Sequence, residues 1–166
     1  MDFLKVKLNW TRNFVLAHEK ILEENHKMFP NRNKWNCDCH VVHDTDKDIK
    51  NFDFNFLRKA YEPISKEVCL AYGLKYKHVS DIWYNYYKTN QFQEPHIHEG
   101  NGLTAIHYLL YNPKIHKPTK FTNKELDTPE VQQDDLLFFP NSFEHYVEKS
   151  ENKFPRLTVA FTVACE

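Results

Sequence analysis

The chain has 166 residues, 41% of them hydrophobic and 27% charged, with a formal net charge of −1. That length fits one domain with its own core, and the near-neutral balance leaves no electrostatic footprint for nucleic acid. No apolar run approaches the roughly 20 residues of a membrane span.

The opening, MDFLKVKLNWTRN, has neither a long apolar stretch nor a small-residue cleavage site, so no signal peptide is expected. Cys37, Cys39, Cys69 and Cys165 are too few and too scattered for a disulfide scaffold. They read as reduced thiols, and the chain as cytoplasmic. Glycine occurs only at 73, 100 and 102, so Asn and Asp must fill many turns, which their tolerance of left-handed backbone allows.

The first element is a helix over 11–29, with Thr11 as cap, Phe14, Ile21 and Leu22 at helical spacing, and Pro30 beyond the end. A strand, WNCDCHVVH, follows. The stretch from 51 to 73 then reads as an amphipathic helix ending at Gly73, with Pro63 as a point of shortening or kinking. From Val79 the period changes from about 3.6 to 2. VSDIWYNYYK, LTAIHYLLY, DDLLFFP, FEHYVEKS and RLTVAFTV are short, rich in β-branched and aromatic residues, and bounded by turn-formers. Helices first and strands afterwards give an α+β, mainly β, single domain over 1–166. Residues 1–78 would be helical support and 79–166 the core, with the helices on one face of an antiparallel sheet or barrel.

Chemistry concentrates in EPHIH. On a strand, His96 and His98 project together while Ile97 projects oppositely. A divalent metal can share two such imidazoles. On this pattern alone a metal site and two exposed histidines near a turn are equally supported. Downstream, His145 follows the DDLLFF strand and the turn at Pro140 and Asn141. In RLTVAFTV, Arg156, Thr158, Ala160 and Thr162 share one face, and an inward guanidinium there requires a carboxylate partner.

In WYNYYKTNQFQEPHIH, LTAIHYLLYN, DDLLFFPNSFEH and RLT, taken in order and spacing, the segment from Trp83 to Phe161 resembles the catalytic core of the Fe(II)/2-oxoglutarate-dependent oxygenases. It looks closest to their small, prolyl-hydroxylase-like branch found in phage and bacteria. The likeness covers about half the chain. It implies a double-stranded β-helix (jelly-roll) with N-terminal helices on its larger sheet, and Fe(II) held by His96, His98 and His145. It further implies that Arg156 anchors the distal carboxylate of 2-oxoglutarate, aided by Tyr108 and Thr158, with Tyr87 lining the pocket. The activity implied is hydroxylation of a peptide or small-molecule substrate, with succinate and CO2 as coproducts.

Three features depart from the family pattern. Position 98 is His where a carboxylate is commoner, and Glu99 points away from His98 on a regular strand. Asp134 and Asn90 stand where relatives usually have glycine. Two rivals remain: a three-histidine cupin needing no cosubstrate, in which Arg156 would have no task, and a non-enzymatic jelly-roll binding module.

Other signals carry less. In CDCHVVH, alternation sends His40 away from both cysteines and the usual C-x-x-C zinc spacing is missing, so a packed strand is expected. Asp44, Asp46 and Asp48 imitate the start of a calcium loop that Ile49 and Asn55 then break. His107 reads as packed, and His18, His26, His78 and His116 as surface residues. Residues 112–132 read as a mobile, Lys-rich loop near the mouth, of the kind that selects substrates.

Overall fold

The computed structural model describes residues 2–10, 16, 20, 37–46 and 54–166. The expected helix over 11–29 lies outside them, apart from Leu16 and Lys20, both helical. The elements are β1 (Leu4–Lys7), β2 (Cys37–Asp38), β3 (His40–His43), α1 (Phe54–Ala71), β4 (Tyr76–Tyr87), β5 (Phe92–His96) and β6 (Gly102–Leu110). They continue with β7 (Thr119–Phe121), β8 (Asp135–Pro140), β9 (His145–Val147) and β10 (Arg156–Cys165).

Two antiparallel sheets form, a six-stranded one in the order β1-β8-β6-β10-β4-β3 and a four-stranded one in the order β2-β5-β9-β7. The large sheet is buried on both faces, and strand alternation sorts its residues between two cores. On β4, Ile82, Tyr84 and Tyr86 face α1, while Trp83 and Tyr87 face the small sheet. On β10, Leu157, Val159, Phe161 and Val163 join the helix-side core, and Ala160 joins the core between the sheets.

α1 presents Leu57, Tyr61, Ser65, Val68 and Cys69 to the large sheet. The helix runs through Pro63 rather than stopping there. Pro63 lies on the exposed face, where water can satisfy the carbonyl that its missing N–H leaves free. The end is a Schellman turn: Leu74 N–H donates to Cys69 O (2.8 Å) and Gly73 N–H to Leu70 O (3.0 Å). Gly73 takes φ 70°, as its C′ position requires. Nearby, the Cys69 and Cys165 thiols meet at 3.2 Å, and burial pushes the Cys69 thiol up to about 12.

Three expectations need correction. The N-terminal part is more than helical support, since β1 pairs with β8, β2 with β5 and β3 with β4. The segment 112–132 is not wholly a loop, because β7 forms within it and pairs with β9. His116, expected at the surface, is buried.

Other expectations agree with the structure. Asn90 and Asp134 adopt φ 62° and 71°, the left-handed backbone that a glycine would otherwise supply. The broken calcium motif falls largely outside the described residues. Its described part is structural: Asp44 pairs with Arg58, and Asp46 Oδ2 accepts the His43 N–H (2.8 Å). No described helix is long and apolar enough to cross a membrane.

Candidate metal and cosubstrate site

β5 and β9 pair so that His96 lies directly opposite His145. β5 stops at His96, so the strand expected to carry both histidines ends before His98. His98 still reaches the same point because Asn141 holds the loop behind it. His98 N–H donates to Asn141 O (3.1 Å), Asn141 Nδ2 donates to Glu99 O (3.3 Å), and Asn141 N–H donates to Gly102 O (3.1 Å). Thr104 Oγ1 in turn donates to Asn141 Oδ1 (2.8 Å). Gly102 is required by close approach, since a Cβ there would sit 2.2 Å from Val163 O.

The potential ligand atoms of His96, His98 and His145 lie within 4.8 Å of one another, the one such group among the described residues. Glu99 is not part of it. His96 Nδ1–H donates to Glu94 O (2.8 Å) and His145 Nδ1–H to Phe143 O (2.9 Å). Each bond fixes the tautomer and frees Nε2 as a lone pair, the usual preparation of a metal-binding imidazole. His98 Nε2 is buried and has no hydrogen-bond partner. Burial, reinforced by the neighbouring imidazoles, lowers His98 to about 4 and His145 to about 3. Burial lowers His96 as well. The donor set fits a divalent metal: three neutral imidazoles, two held by backbone acceptors and one with an orphaned buried nitrogen.

Arg156 lines a cavity together with His96 and His145. Tyr87 and Asn85 are the β4 partners of Arg156 and Thr158 on the large-sheet wall, and Thr119 reaches the cavity from the small sheet. Arg156 is buried, and its guanidinium carbon stands 4.7 Å above the Tyr87 ring, 5.5 Å from Tyr108 and 6.0 Å from Tyr111. One hydrogen bond is made, from Arg156 Nη2 to Thr119 Oγ1 (3.1 Å). Arg156 Nε has no partner, and no described carboxylate pairs with the cation. The Tyr108 hydroxyl is buried beside Thr119 and Arg156, without a well-formed hydrogen bond to either. Burial raises its pKa, and the nearby guanidinium pulls it back. Tyr87 OH donates to Gln93 Oε1 (2.9 Å). A buried cation with spare donors is costly unless an anion completes it.

The structure thus brings His96, His145, Arg156, Thr158 and Tyr87 around one cavity, with His98 joined to the two histidines in the imidazole cluster and Tyr108 packed at the Arg156 end. It adds residues that sequence reasoning missed. Asn85 was legible as the polar member of the inward series Trp83, Asn85, Tyr87. Thr119 and Asn141 were not, since both depend on contacts distant in sequence. His107 is packed as expected, on the helix side: Tyr61 OH donates to its Nδ1 (2.8 Å) and its Nε2–H donates to Asp134 Oδ1 (2.9 Å).

No protein-family model and no curated protein matches the chain. Solved structures do. A prolyl-4-hydroxylase of Pseudomonas putida superposes with a TM-score of 0.73 at 11% identity, over 99% of this chain and 93% of that one. The viral collagen prolyl hydroxylase of Paramecium bursaria Chlorella virus-1, solved with 2-oxoglutarate, gives 0.67 at 9% identity over 98% and 96%. The Trichoplax adhaerens prolyl hydroxylase, solved with a peptide of hypoxia-inducible factor, gives 0.68 at 10% identity over 98% and 83%. The fold is that of the Fe(II)/2-oxoglutarate oxygenases. It is the double-stranded β-helix expected from the sequence, with a helix packed on the larger sheet.

Proposed function

We propose that this chain is an Fe(II)- and 2-oxoglutarate-dependent dioxygenase that hydroxylates a peptidyl proline, a free amino acid or a small metabolite. One observation carries the reading: His96 and His145, two members of a three-imidazole cluster, line the same cavity as a buried guanidinium that pairs with no described carboxylate. When bound, Fe(II) and 2-oxoglutarate supply the oxidising chemistry, consuming O2 and the 2-oxoacid to give succinate, CO2 and a hydroxylated substrate.

The protein binds, orients and keeps the site dry. His96, His98 and His145 hold the metal through neutral nitrogens. With no carboxylate among them, the centre carries one positive charge more than a two-histidine, one-carboxylate site. Arg156 takes the distal carboxylate of the cosubstrate through charge-assisted hydrogen bonds, and Tyr108 adds a neutral donor. Thr158 and Tyr87 shape the wall around that carboxylate. Trp83, Ile106, Val147 and Ala160 give the cavity apolar walls that exclude water. No protein general base is required.

A larger groove of about 820 Å³ runs along the 112–132 segment, from Pro95 beside His96 past Tyr111 and Leu126. It offers room for the substrate. The three-histidine cupin reading leaves the Arg156 environment without a purpose, and the non-enzymatic reading leaves both clusters without one.

The test is anaerobic. Fe(II)-loaded protein titrated with 2-oxoglutarate should develop the visible charge-transfer band of the chelate. No band at millimolar 2-oxoglutarate would reject the oxygenase in favour of the cupin.

A further inference from the structure

Behind Arg156 lies a second small cavity, separated from the first by Tyr87, Val147 and Arg156, which line both. Its far side is His116. This ring is 7% exposed although it sits in a polar segment. The Asn112 N–H donates to His116 Nδ1 (2.9 Å), and His116 N–H donates to Asn112 O (2.8 Å), so the ring closes the turn that carries it. With Nδ1 accepting, Nε2 keeps its proton and donates to Phe154 O (3.2 Å), two residues before Arg156. Asn152 Nδ2 reinforces the junction by donating to Ile115 O (3.1 Å). The His116 ring also lies 5.8 Å from Tyr111, one of the three tyrosines around the guanidinium.

This arrangement needs a neutral imidazole, because a proton on Nδ1 would face the Asn112 N–H. Burial and the Arg156 charge both favour the neutral form.

Building on the proposed function, we infer that His116 is a specificity-determining positioning residue: it staples the 112–116 turn to the 150–154 segment and so sets how far Arg156 can withdraw. It thereby fixes the length of dicarboxylate that the cavity accepts. His116 touches neither metal nor cosubstrate and acts through Arg156 and Tyr111. With the staple in place the guanidinium is held 4.7 Å above the Tyr87 ring, and the proposed cosubstrate has five carbons with which to span from it to the histidines. With the staple open, the space behind Arg156 becomes available, and a chain one methylene longer can be seated.

Removing or adding one methylene in a shaped pocket typically changes affinity by about 10- to 200-fold. Wild-type Mn(II)-loaded protein, titrated calorimetrically, should therefore favour 2-oxoglutarate over 2-oxoadipate by at least about tenfold. In His116→Ala that preference should fall several-fold, chiefly through tighter 2-oxoadipate binding, with Mn(II) affinity unchanged. His116→Gln, whose amide N–H can still reach the Phe154 carbonyl, should restore much of the preference. His116→Asn, too short to reach it, should not. Thermal melts of each variant separate this from loss of fold, which would lower both affinities together.

A parallel titration of metal-free protein with glutarate and adipate reads the Arg156 pocket alone. If the metal-loaded protein fails to chelate 2-oxoglutarate while the metal-free protein still favours glutarate in a His116-dependent way, the oxygenase reading fails and this inference stands. Equal preference in wild type and His116→Ala overturns the inference. So does an absence of diacid binding by either form of the wild-type protein.

Discussion

His96 and His145 are direct cross-strand partners in the small sheet, their ring centroids 4.3 Å apart, although 48 positions separate them in the sequence. Each Nδ1–H is bonded to the carbonyl two residues before it, so both Nε2 atoms are free to ligate. We expect His96→Ala and His145→Ala each to weaken Fe(II) or Mn(II) binding by more than the ~10- to 100-fold typical of losing a residue that merely supports a ligand. Anaerobic titration of each variant measures this, and full-affinity binding by either would remove that residue from the metal site.

The loop at His98 supports a contrast between a neighbour and a distant residue. Glu99 is adjacent in sequence but outside the imidazole cluster, so Glu99→Gln should bind metal as the wild type does. Asn141 holds the His98 backbone from across the turn, so Asn141→Ala should cost about 10- to 100-fold in metal affinity. A metal-bound crystal structure with a Glu99 oxygen at ligand distance would reverse this assignment.

Arg156 offers unpaired donors in a buried place, so its effect should fall on the cosubstrate and not on the metal. A hydrogen bond to a charged group contributes about 1.5–3 kcal/mol, so Arg156→Ala should weaken 2-oxoglutarate at least about tenfold. Arg156→Lys should recover only part, because an ammonium keeps the charge but loses the planar fork. Tyr108→Phe removes one neutral donor and should cost about 1 kcal/mol. Titration of the charge-transfer band ranks the three variants. An Arg156→Ala protein with wild-type affinity would place the carboxylate pocket elsewhere.

Acid should destabilise the metal-free protein. His98 and His145 have folded pKa values of about 4 and about 3, below the ordinary value of 6.5. On acidification the unfolded chain takes up their protons first, so stability present above pH 6.5 is lost as pH falls towards those values. Each imidazole contributes up to ~1.4 kcal/mol per pH unit within that window. Melting temperatures in the presence of a chelator, recorded from pH 7.5 down to 4.5, should decline. A flat profile would mean that the rings are not shielded from water.

Asp134 combines a left-handed backbone, φ 71°, with a carboxylate that accepts the buried His107 Nε2–H. Asp134→Gly keeps the backbone but leaves that donor unpaired, at about 1–3 kcal/mol. Asp134→Ala should be worse by a further ~1 kcal/mol, because its Cβ disfavours this conformation. Denaturant unfolding of the two variants tests the order.

Much of this was legible in sequence because it rests on local periodicity and on residue types with few uses. The inward and outward series of β4 and β10, the helix end at Gly73, and the turns at Asn90 and Asp134 follow from alternation, capping and tolerance of positive φ. The histidines and Arg156 stood out because a guanidinium facing inward on a strand needs a partner, and because their order and spacing together resemble the oxygenase motifs, which the i, i+2 imidazoles alone would not establish.

What the tertiary structure decided is which distant groups meet. Asn141 holds His98 in place of a continued strand, Thr119 reaches Arg156 from β7, and His116 turns inward to staple two connecting segments. None of these has a sequence signature. Each depends on hydrogen bonds between groups that only the pairing of the two sheets brings within reach. A polar side chain in a hydrophilic segment reads as solvated until the fold shows what has replaced its water.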